Sequence, residues 1–287
     1  MTSAVALSVR IFCAKADKTL ISLDALMMNI IICIKQVPET TEVKINPETN
    51  TLIREGVKSI INPFDMYAIE EGVRLKEKLD GKTTVITMGP PQAESALREA
   101  ISMGIDEAIL ISDRAFAGSD TWATSYALSR AIKKIGQFDL IICGKQASDG
   151  DTAQVGPGIS AHLDIPQITY VKKIEEVKDN LCRAERMTEE GFEVIETPLP
   201  ALLTVVKEIN EPRLPSLKAM MRAKQAKITH WTAKDIAADT AYIGLDGSPT
   251  RVVKIFTPPP RIGGQILRGE IQDVVEKLVE LLRSEVT

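Results

Sequence analysis

The chain has 287 residues, 35 Lys and Arg against 39 Asp and Glu, a formal charge of −4 and 44% apolar residues. This length is enough for one large or two modest domains with real cores. The charge balance argues against a nucleic-acid partner, which requires a basic face or stripe. No apolar run approaches the ~18–20 residues of a membrane helix, so we predict a soluble globular protein without membrane insertion.

The cysteines and histidines give no sign of a metal site. The four cysteines are far apart and form no C-x-x-C pair. Cys33 and Cys143 lie inside apolar runs, where a thiol usually behaves as a small hydrophobic residue, so we expect a reducing, cytoplasmic location. Neither His162 nor His230 has metal-ligand spacing.

The first 27 residues differ from the rest of the chain. Their short apolar stretches are interrupted by charge and lack a cleavage pattern, which argues against a secretory signal. Asp17 and Asp24 disfavour a transit peptide. Since Met28 directly precedes the first convincing strand, we expect 1–27 to be an extension outside the fold.

Apolar runs alternate with helical stretches from Asn29 to Cys143. The runs at 29–34, 84–88, 108–111 and 139–143 are continuous, as in strands that are covered on both faces of a parallel sheet. Leu128, Ala131 and Ile132 have helical spacing between charged positions. The alternation predicts an α/β fold, with a mostly parallel, Rossmann-like sheet and flanking helices.

The second half of the chain has a different pattern. Shorter stretches at 168–177, 181–187, 192–196 and 201–206 look like antiparallel strands, or a hairpin that leaves and rejoins the sheet. An arm-like segment at 210–215 leads to a basic helix candidate, Ser216 to Lys227. The final amphipathic helix, which starts near Ile271, needs to bury its stripe against a partner subunit or the chain's own body.

Ligands of such sheets bind at the carboxyl ends of the strands, after Cys33, Met88 and Cys143. The segment Gly144 to Gly158 follows one of these strands and leads into a helix. Its small residues let the backbone approach a ligand, and the free N–H groups at the helix start favour phosphate. The alternative is a glycine-rich turn between strand and helix without a ligand.

Two features of this region allow more than one interpretation. Asp149 and Asp151 would repel a phosphate, so they fit better as acceptors for ribose hydroxyls or as caps of the helix. At the start of an earlier helix, Asn62 and Pro63 are typical of an ordinary N-cap and first turn. The same turn could also pack on the nucleotide. No G-x-G-x-x-G or P-loop motif is present, so redox chemistry would need a bound cofactor.

Several pieces of the sequence resemble one family. The matching pieces are Cys33-Ile34-Lys35-Gln36-Val37, Asn62-Pro63-Phe64-Asp65, the stretch from Glu70 to Glu77, Gly144 to Gly158, and Asn210-Glu211-Pro212-Arg213. In this order, they make residues 28–287 resemble the β subunit of electron transfer flavoproteins. The resemblance implies a heterodimer with an α subunit that holds an electron-shuttling FAD. It also implies a nucleotide-binding domain at 28–208 and a partner-binding arm and C-terminal helix at 209–287.

The resemblance also implies a set of site residues. The adenosine contacts carried over by position are Cys33, Asn62, Pro63, Phe64, Asp65 and Met88. The implied phosphate loop consists of Asp149, Gly150, Asp151, Thr152, Ala153, Gln154, Val155, Gly156, Pro157, Gly158, Ile159 and Ser160. In the family, a projecting loop that corresponds to Arg213–Lys224 anchors a flavin-dependent dehydrogenase, with Leu217 as the apolar anchor. An exposed amphipathic helix without a partner is the alternative.

Within the family, the loop from Asp149 to Pro157 looks like that of the electron-bifurcating group. That group holds a second FAD, which takes hydride from NADH and sends electrons separately to a high-potential acceptor and to ferredoxin or flavodoxin. Ordinary members instead carry a structural AMP and dock an acyl-CoA dehydrogenase. A stand-alone adenine-nucleotide sensor or ATPase with a similar sheet is a further alternative.

Overall fold

The computed structural model describes residues 27–39, 59–253 and 264–285. The predicted extension 1–27 lies outside the described residues, except for Met27. Of the described residues, 27–39 and 59–251 belong to one compact unit, and 252–253 and 264–285 belong to a second.

The first unit alternates strands and helices through most of its length. The strands are β1 Asn29–Cys33, β2 Gln36–Pro38, β3 Ser59–Ile61, β4 Lys82–Met88, β5 Glu107–Ile111, β6 Leu140–Gly144, β7 Gln167–Lys178, β8 Leu181–Met187, β9 Phe192–Pro198, β10 Ala201–Val205 and β11 Thr229–Trp231. Its helices are α1 Pro63–Leu79, α2 Glu94–Met103, α3 Thr121–Ile135, α4 Val155–Leu163 and α5 Leu217–Gln225. This confirms the predicted α/β class.

Nine strands form one sheet in the order β11-β5-β4-β1-β6-β10-β7-β8-β9, and β2 and β3 form a small antiparallel pair. Pairing is parallel from β11 through β10 to β7, and antiparallel from β7 to β9. After β1 the chain adds β4 and β5 on one side, and then crosses to add β6 on the other. The pair β1 and β6 is therefore the topological switch point of the sheet, where α/β folds bind ligands.

Both faces of the sheet are covered, which explains the continuous apolar runs. Ile30 and Ile32 face a core formed with α1, α2 and Ala223 of α5. Ile31 and Cys33 face the opposite core, formed with α3 and α4. Since successive strand residues alternate between faces, a strand between two helical layers needs apolar residues at nearly every position.

The strand at the end of the predicted antiparallel group pairs differently from the rest. The stretches at 168–177, 181–187 and 192–196 form the antiparallel strands β7, β8 and β9, as predicted. The stretch at 201–206 forms β10, which instead pairs in parallel with β6 and β7. It rejoins the sheet between the two, which confirms the alternative of a group that leaves and rejoins the sheet; purely antiparallel pairing holds for β7 to β9 and not for β10.

The second unit contains a C-terminal helix, α6, from Ile271 to Glu285. This confirms that the final amphipathic stretch is helical. No helix among the described residues is both long enough and apolar enough to cross a bilayer.

Candidate functional site

The candidate site lies where β1 and β6 end side by side. Cys33 and Cys143 are register partners on these strands. Both are buried. The neighbouring Cys143 thiol and burial raise the pKa of Cys33 well above its ordinary value, so the thiol stays protonated. The two cysteines are therefore unreactive, buried residues at the base of the two loops that follow the strands.

Asp65, in the first turn of α1, joins these two loops. Its Oδ2 accepts a hydrogen bond of 2.6 Å from the backbone N–H of Lys35, and the carboxylate also accepts one from the N–H of Gly144. A Cβ at Gly144 would overlap the Asp65 carboxylate, so only glycine fits there. Burial raises the pKa of Asp65 to about 7, although these hydrogen bonds and one from Asn62 oppose the shift.

The side chain of Asn62 does not cap α1, although Asn62 is the N-cap residue. Its Nδ2 donates to the carbonyl of Gln146 at 2.8 Å, and its Oδ1 accepts from the N–H of Ser148 at 3.0 Å. Asn62 and Pro63 therefore stand at the N-cap and first turn of α1, as predicted, but the Asn62 side chain makes no capping hydrogen bond. The amide instead fixes the start of the loop after β6.

Lys35, which sequence reasoning did not single out as a site residue, reaches the same loop from the other side. Its Nζ lies 2.6 Å and 2.9 Å from the two carboxylate oxygens of Asp149. The carboxylate of Asp151 accepts a hydrogen bond from Gln146 instead. Neither aspartate caps α4, so the capping alternative is wrong.

The loop from Asp149 to Gln154 has an unusual backbone. Asp151 and Ala153 have φ angles of 51° and 53°, in the left-handed region that favours glycine. Such conformations persist where the surrounding structure enforces them, and they are common at ligand-binding sites. Gly150 borders open space, because nothing lies within 4 Å of a Cβ built on it.

The start of α4 has no side-chain cap and no acidic residue in its first turn. Gln154 is turned towards α3, where its Oε1 accepts a hydrogen bond of 2.9 Å from Thr121. The first N–H groups of a helix have no partner within the helix and attract anions. The arrangement therefore suits a phosphate group.

The remaining residues of the predicted phosphate loop have structural roles as well. A Cβ on Gly156 would come within 2.6 Å of Thr204, and one on Gly158 within 2.5 Å of the Ser125 hydroxyl. These two glycines are required for packing α4 against β10 and α3, whether or not a ligand is bound. Ile159 and Ser160 are buried in the same helix.

The described residues contain no group of three or more His, Cys, Asp and Glu side chains that could hold a metal. His162 lies in α4, where its ring centroid is 4.5 Å from that of Trp122 and 5.7 Å from that of Tyr126. Burial lowers the pKa of His162, which keeps the ring neutral. These contacts give it a packing role.

The chain matches the family model of the electron transfer flavoprotein domain over residues 49–236. It is 56% identical over 260 residues to the electron transfer flavoprotein subunit beta of Thermoanaerobacterium thermosaccharolyticum, a match that covers 90% of this chain and 98% of the relative. The chain belongs to the electron transfer flavoprotein β-subunit family.

Two further relatives extend the comparison. The electron transfer flavoprotein subunit beta of Megasphaera elsdenii is 51% identical over 266 residues, covering 88% of this chain and 98% of its own length. A protein of Acetobacterium woodii named caffeyl-CoA reductase–Etf complex subunit CarD is 48% identical over 258 residues, covering 89% and 98%. Membership of the family implies an α-subunit partner and flavin-linked electron transport.

In this electron transfer flavoprotein subunit, Arg213 lies in the segment that leads into α5, and Leu217 is the first residue of α5. Arg213 bonds to α1, and Ser216 caps α5 by accepting a hydrogen bond from the N–H of Ala219. Ala223 is buried against the sheet-facing core, whereas Leu217 is 75% exposed. Helix α5 therefore has one packed face and one apolar face open to a partner.

Proposed function

We propose that this chain binds FAD in the crevice between β1 and β6 and acts as the β subunit of an electron-bifurcating flavoprotein. The main support is the loop before α4. Its backbone is left-handed at Asp151 and Ala153, it borders open space at Gly150, and it leads to an uncapped helix start. These features fit the diphosphate of a dinucleotide.

The residues around the crevice divide the binding task. The start of α4 and the backbone from Gly150 to Ala153 would hold the diphosphate. The turn from Asn62 to Asp65 and the strand ends at Cys33 and Met88 would border the adenosine. Asn62 and Asp65 act by positioning both loops, since their side chains are bonded to backbone groups of the loops.

When bound, FAD would provide the redox chemistry, which is to accept hydride from NADH and to release electrons one at a time. The chain's own contribution is to hold the nucleotide and to orient it at the subunit boundary. No side chain of the crevice needs to act as a general acid or base. The buried, protonated thiol of Cys33 is suited to packing rather than to reaction.

Structural AMP, as in non-bifurcating members that dock an acyl-CoA dehydrogenase, is the competing ligand. Gly150 and Ala153, where ordinary members carry larger polar residues, favour the larger ligand because they leave space and free backbone N–H groups. Denaturing the purified α–β complex and counting the released ligands distinguishes the two. Two FAD and no AMP per complex supports bifurcation, and one of each refutes it.

The partners follow from the same assignment. Besides the α subunit, we propose a flavin-dependent dehydrogenase of the acyl-CoA type as the high-potential acceptor, and ferredoxin or flavodoxin as the low-potential one. The relative named as a subunit of a caffeyl-CoA reductase complex supports a partner that acts on a CoA thioester. We assign residues 28–208 to nucleotide binding and 209–287 to partner binding, in the reducing environment of the cytoplasm.

A further inference from the structure

We propose that Lys35 determines the specificity of the crevice for diphosphate, because its ammonium group cancels the charge of Asp149 at the edge of the phosphate loop. This inference rests on the proposed nucleotide site and extends it to the class of ligand: an adenine nucleotide with two linked phosphates. Asp149 and Lys35 come from loops on opposite sides of the switch point.

Lys35 is held at both ends. Its backbone N–H is bonded to the buried carboxylate of Asp65 at 2.6 Å, and its Nζ reaches both oxygens of Asp149. The loop that carries Asp149 is itself fixed by Asn62 through Ser148. The backbone at both partners is therefore fixed by other residues, which lowers the cost of ordering these two loops when a ligand arrives.

The loop needs such a cation. Asp149 and Asp151 place two carboxylates in the segment that leads to the phosphate-binding helix start, and Asp151 has a neutral partner, the amide of Gln146. Lys145 is close in sequence, but its Nζ lies over the rings of Phe64 and Tyr170, at 5.6 Å and 5.2 Å from their centroids. Among the described residues, Lys35 is thus the lysine that forms an ion pair with Asp149.

The ammonium group also retains a donor for the ligand. Lysine has three N–H donors, and the two oxygens of Asp149 use two of them. The Lys35 and Asp149 side chains are 49% and 36% exposed, so the chain itself does not bury the ammonium group. The effect on binding should therefore increase with ligand charge, from adenosine through AMP to ADP, and should decrease at high salt.

The test uses the α–β complex after reversible removal of the β-site nucleotide, with ADP, AMP, adenosine and FAD as probes. We expect Lys35→Met to weaken ADP and FAD roughly tenfold at low salt, AMP less and adenosine little. The double variant Lys35→Met with Asp149→Asn should recover most of the loss, because the uncompensated carboxylate is gone. Unfolding temperatures should stay close to that of the wild type, since the pair is exposed.

Lys82→Met is the matched control. Lys82 forms an ion pair with Glu107 at 2.7 Å with similar exposure, at the amino-terminal ends of β4 and β5. The Lys82→Met variant should leave the affinities for ADP, AMP, adenosine and FAD unchanged. Unaltered ADP and FAD binding in Lys35→Met, or a double variant as weak as the single one, overturns the role of Lys35. Absence of ADP and FAD binding in the wild type would instead overturn the nucleotide site itself.

Discussion

The guanidinium group of Arg213 forms a bidentate ion pair with the carboxylate of Glu70, with Nε 2.8 Å from Oε2 and Nη2 3.2 Å from Oε1. Glu70 lies on α1, and its side chain is only 2% exposed. Arg213 also bonds to Glu77, two turns further along the same face of α1, at 2.6 Å and 3.0 Å. The start of the segment that leads to α5 is thus joined to the helix whose first turn shapes the crevice.

Arg213→Ala should destabilise the chain by about 2–3 kcal/mol, because it leaves a buried carboxylate with Arg74 as its remaining ionic partner. Urea unfolding at neutral pH measures this loss. Burial alone would raise the pKa of Glu70, but hydrogen bonds from Arg213 and Arg74 outweigh it and hold the pKa below its usual range. The stabilisation is therefore present above the ordinary pKa of a glutamate and is lost as the pH falls through the lower, folded-state value.

Arg183→Ala provides the comparison for this variant. Arg183 forms an exposed ion pair with Glu175 at 3.0 Å, and its loss should change the free energy of unfolding by less than about 1 kcal/mol. A loss of similar size in both variants would show that the Arg213 cluster is no more important than a surface pair. The same conclusion would follow if the difference in the free energy of unfolding between wild type and Arg213→Ala did not become smaller at acid pH.

The order of apolar runs was sufficient to predict the class of the fold, and it points to the edge of the sheet where the candidate site lies. Each run between Asn29 and Cys143 is bounded by a helical pattern, and that alternation fixes parallel pairing. The direction of β10 was not predictable in the same way. Its apolar run Ala201–Val205 fits either direction, and the outcome depends on its insertion between β6 and β7.

Residues of the site were predictable where local pattern determines their role. The helix start at Pro63 follows from the proline at its first position. The start of α4 at Val155 has no side-chain cap and follows only from the glycine-rich loop that leads into it. The contacts of Asn62 and Lys35 do not, because their partners are 84 to 114 positions away along the chain. A lysine directly after the first strand, at the switch point of the sheet, is the signal that could have identified Lys35.

Gly150→Asp should lower the FAD content of the β site roughly tenfold, because it places a negative charge beside the diphosphate. The fold should tolerate the change, since a Cβ at this position meets nothing within 4 Å. FAD released from the purified complex is the measurement. Gly150→Asn, which is equal in size but neutral, should retain most of the flavin, and equal loss in both variants would mean that bulk rather than charge matters.

Leu217→Ala should weaken docking of the partner dehydrogenase by about 2 kcal/mol, without loss of FAD. Electron transfer to the dehydrogenase should fall as a consequence. Leu217 is 75% exposed on α5, so its truncation leaves no cavity in this chain. The change should appear in the KM for the dehydrogenase in a steady-state assay. Leu245→Ala, 52% exposed in another segment, is the control, and an equal effect there would remove the special role of α5.

Asp65→Asn should remove one contribution to the pH dependence of the free energy of unfolding. The folded-state pKa of about 7 lies above the ordinary value of 3.8, so the folded chain binds more protons than the unfolded chain between these values. The wild type therefore loses stability from this group as the pH rises from about 4 to 7. Asparagine does not titrate, and its Oδ1 can still accept the N–H of Lys35. Relative to the variant, the wild type should lose about 2–4 kcal/mol between pH 4 and pH 8.

Asp106→Asn should show the opposite trend in the same urea experiments. Burial would raise the pKa of Asp106, but hydrogen bonds from Lys76 and Thr83 outweigh it and hold the pKa below its usual range. The wild type should therefore gain on this variant as the pH rises towards the ordinary aspartate pKa of 3.8 and then stay level, whereas it loses on Asp65→Asn between about pH 4 and 7. Parallel curves for the two variants would contradict the prediction, because they would mean that Asp65 is ionised in the folded chain as readily as a solvated carboxylate.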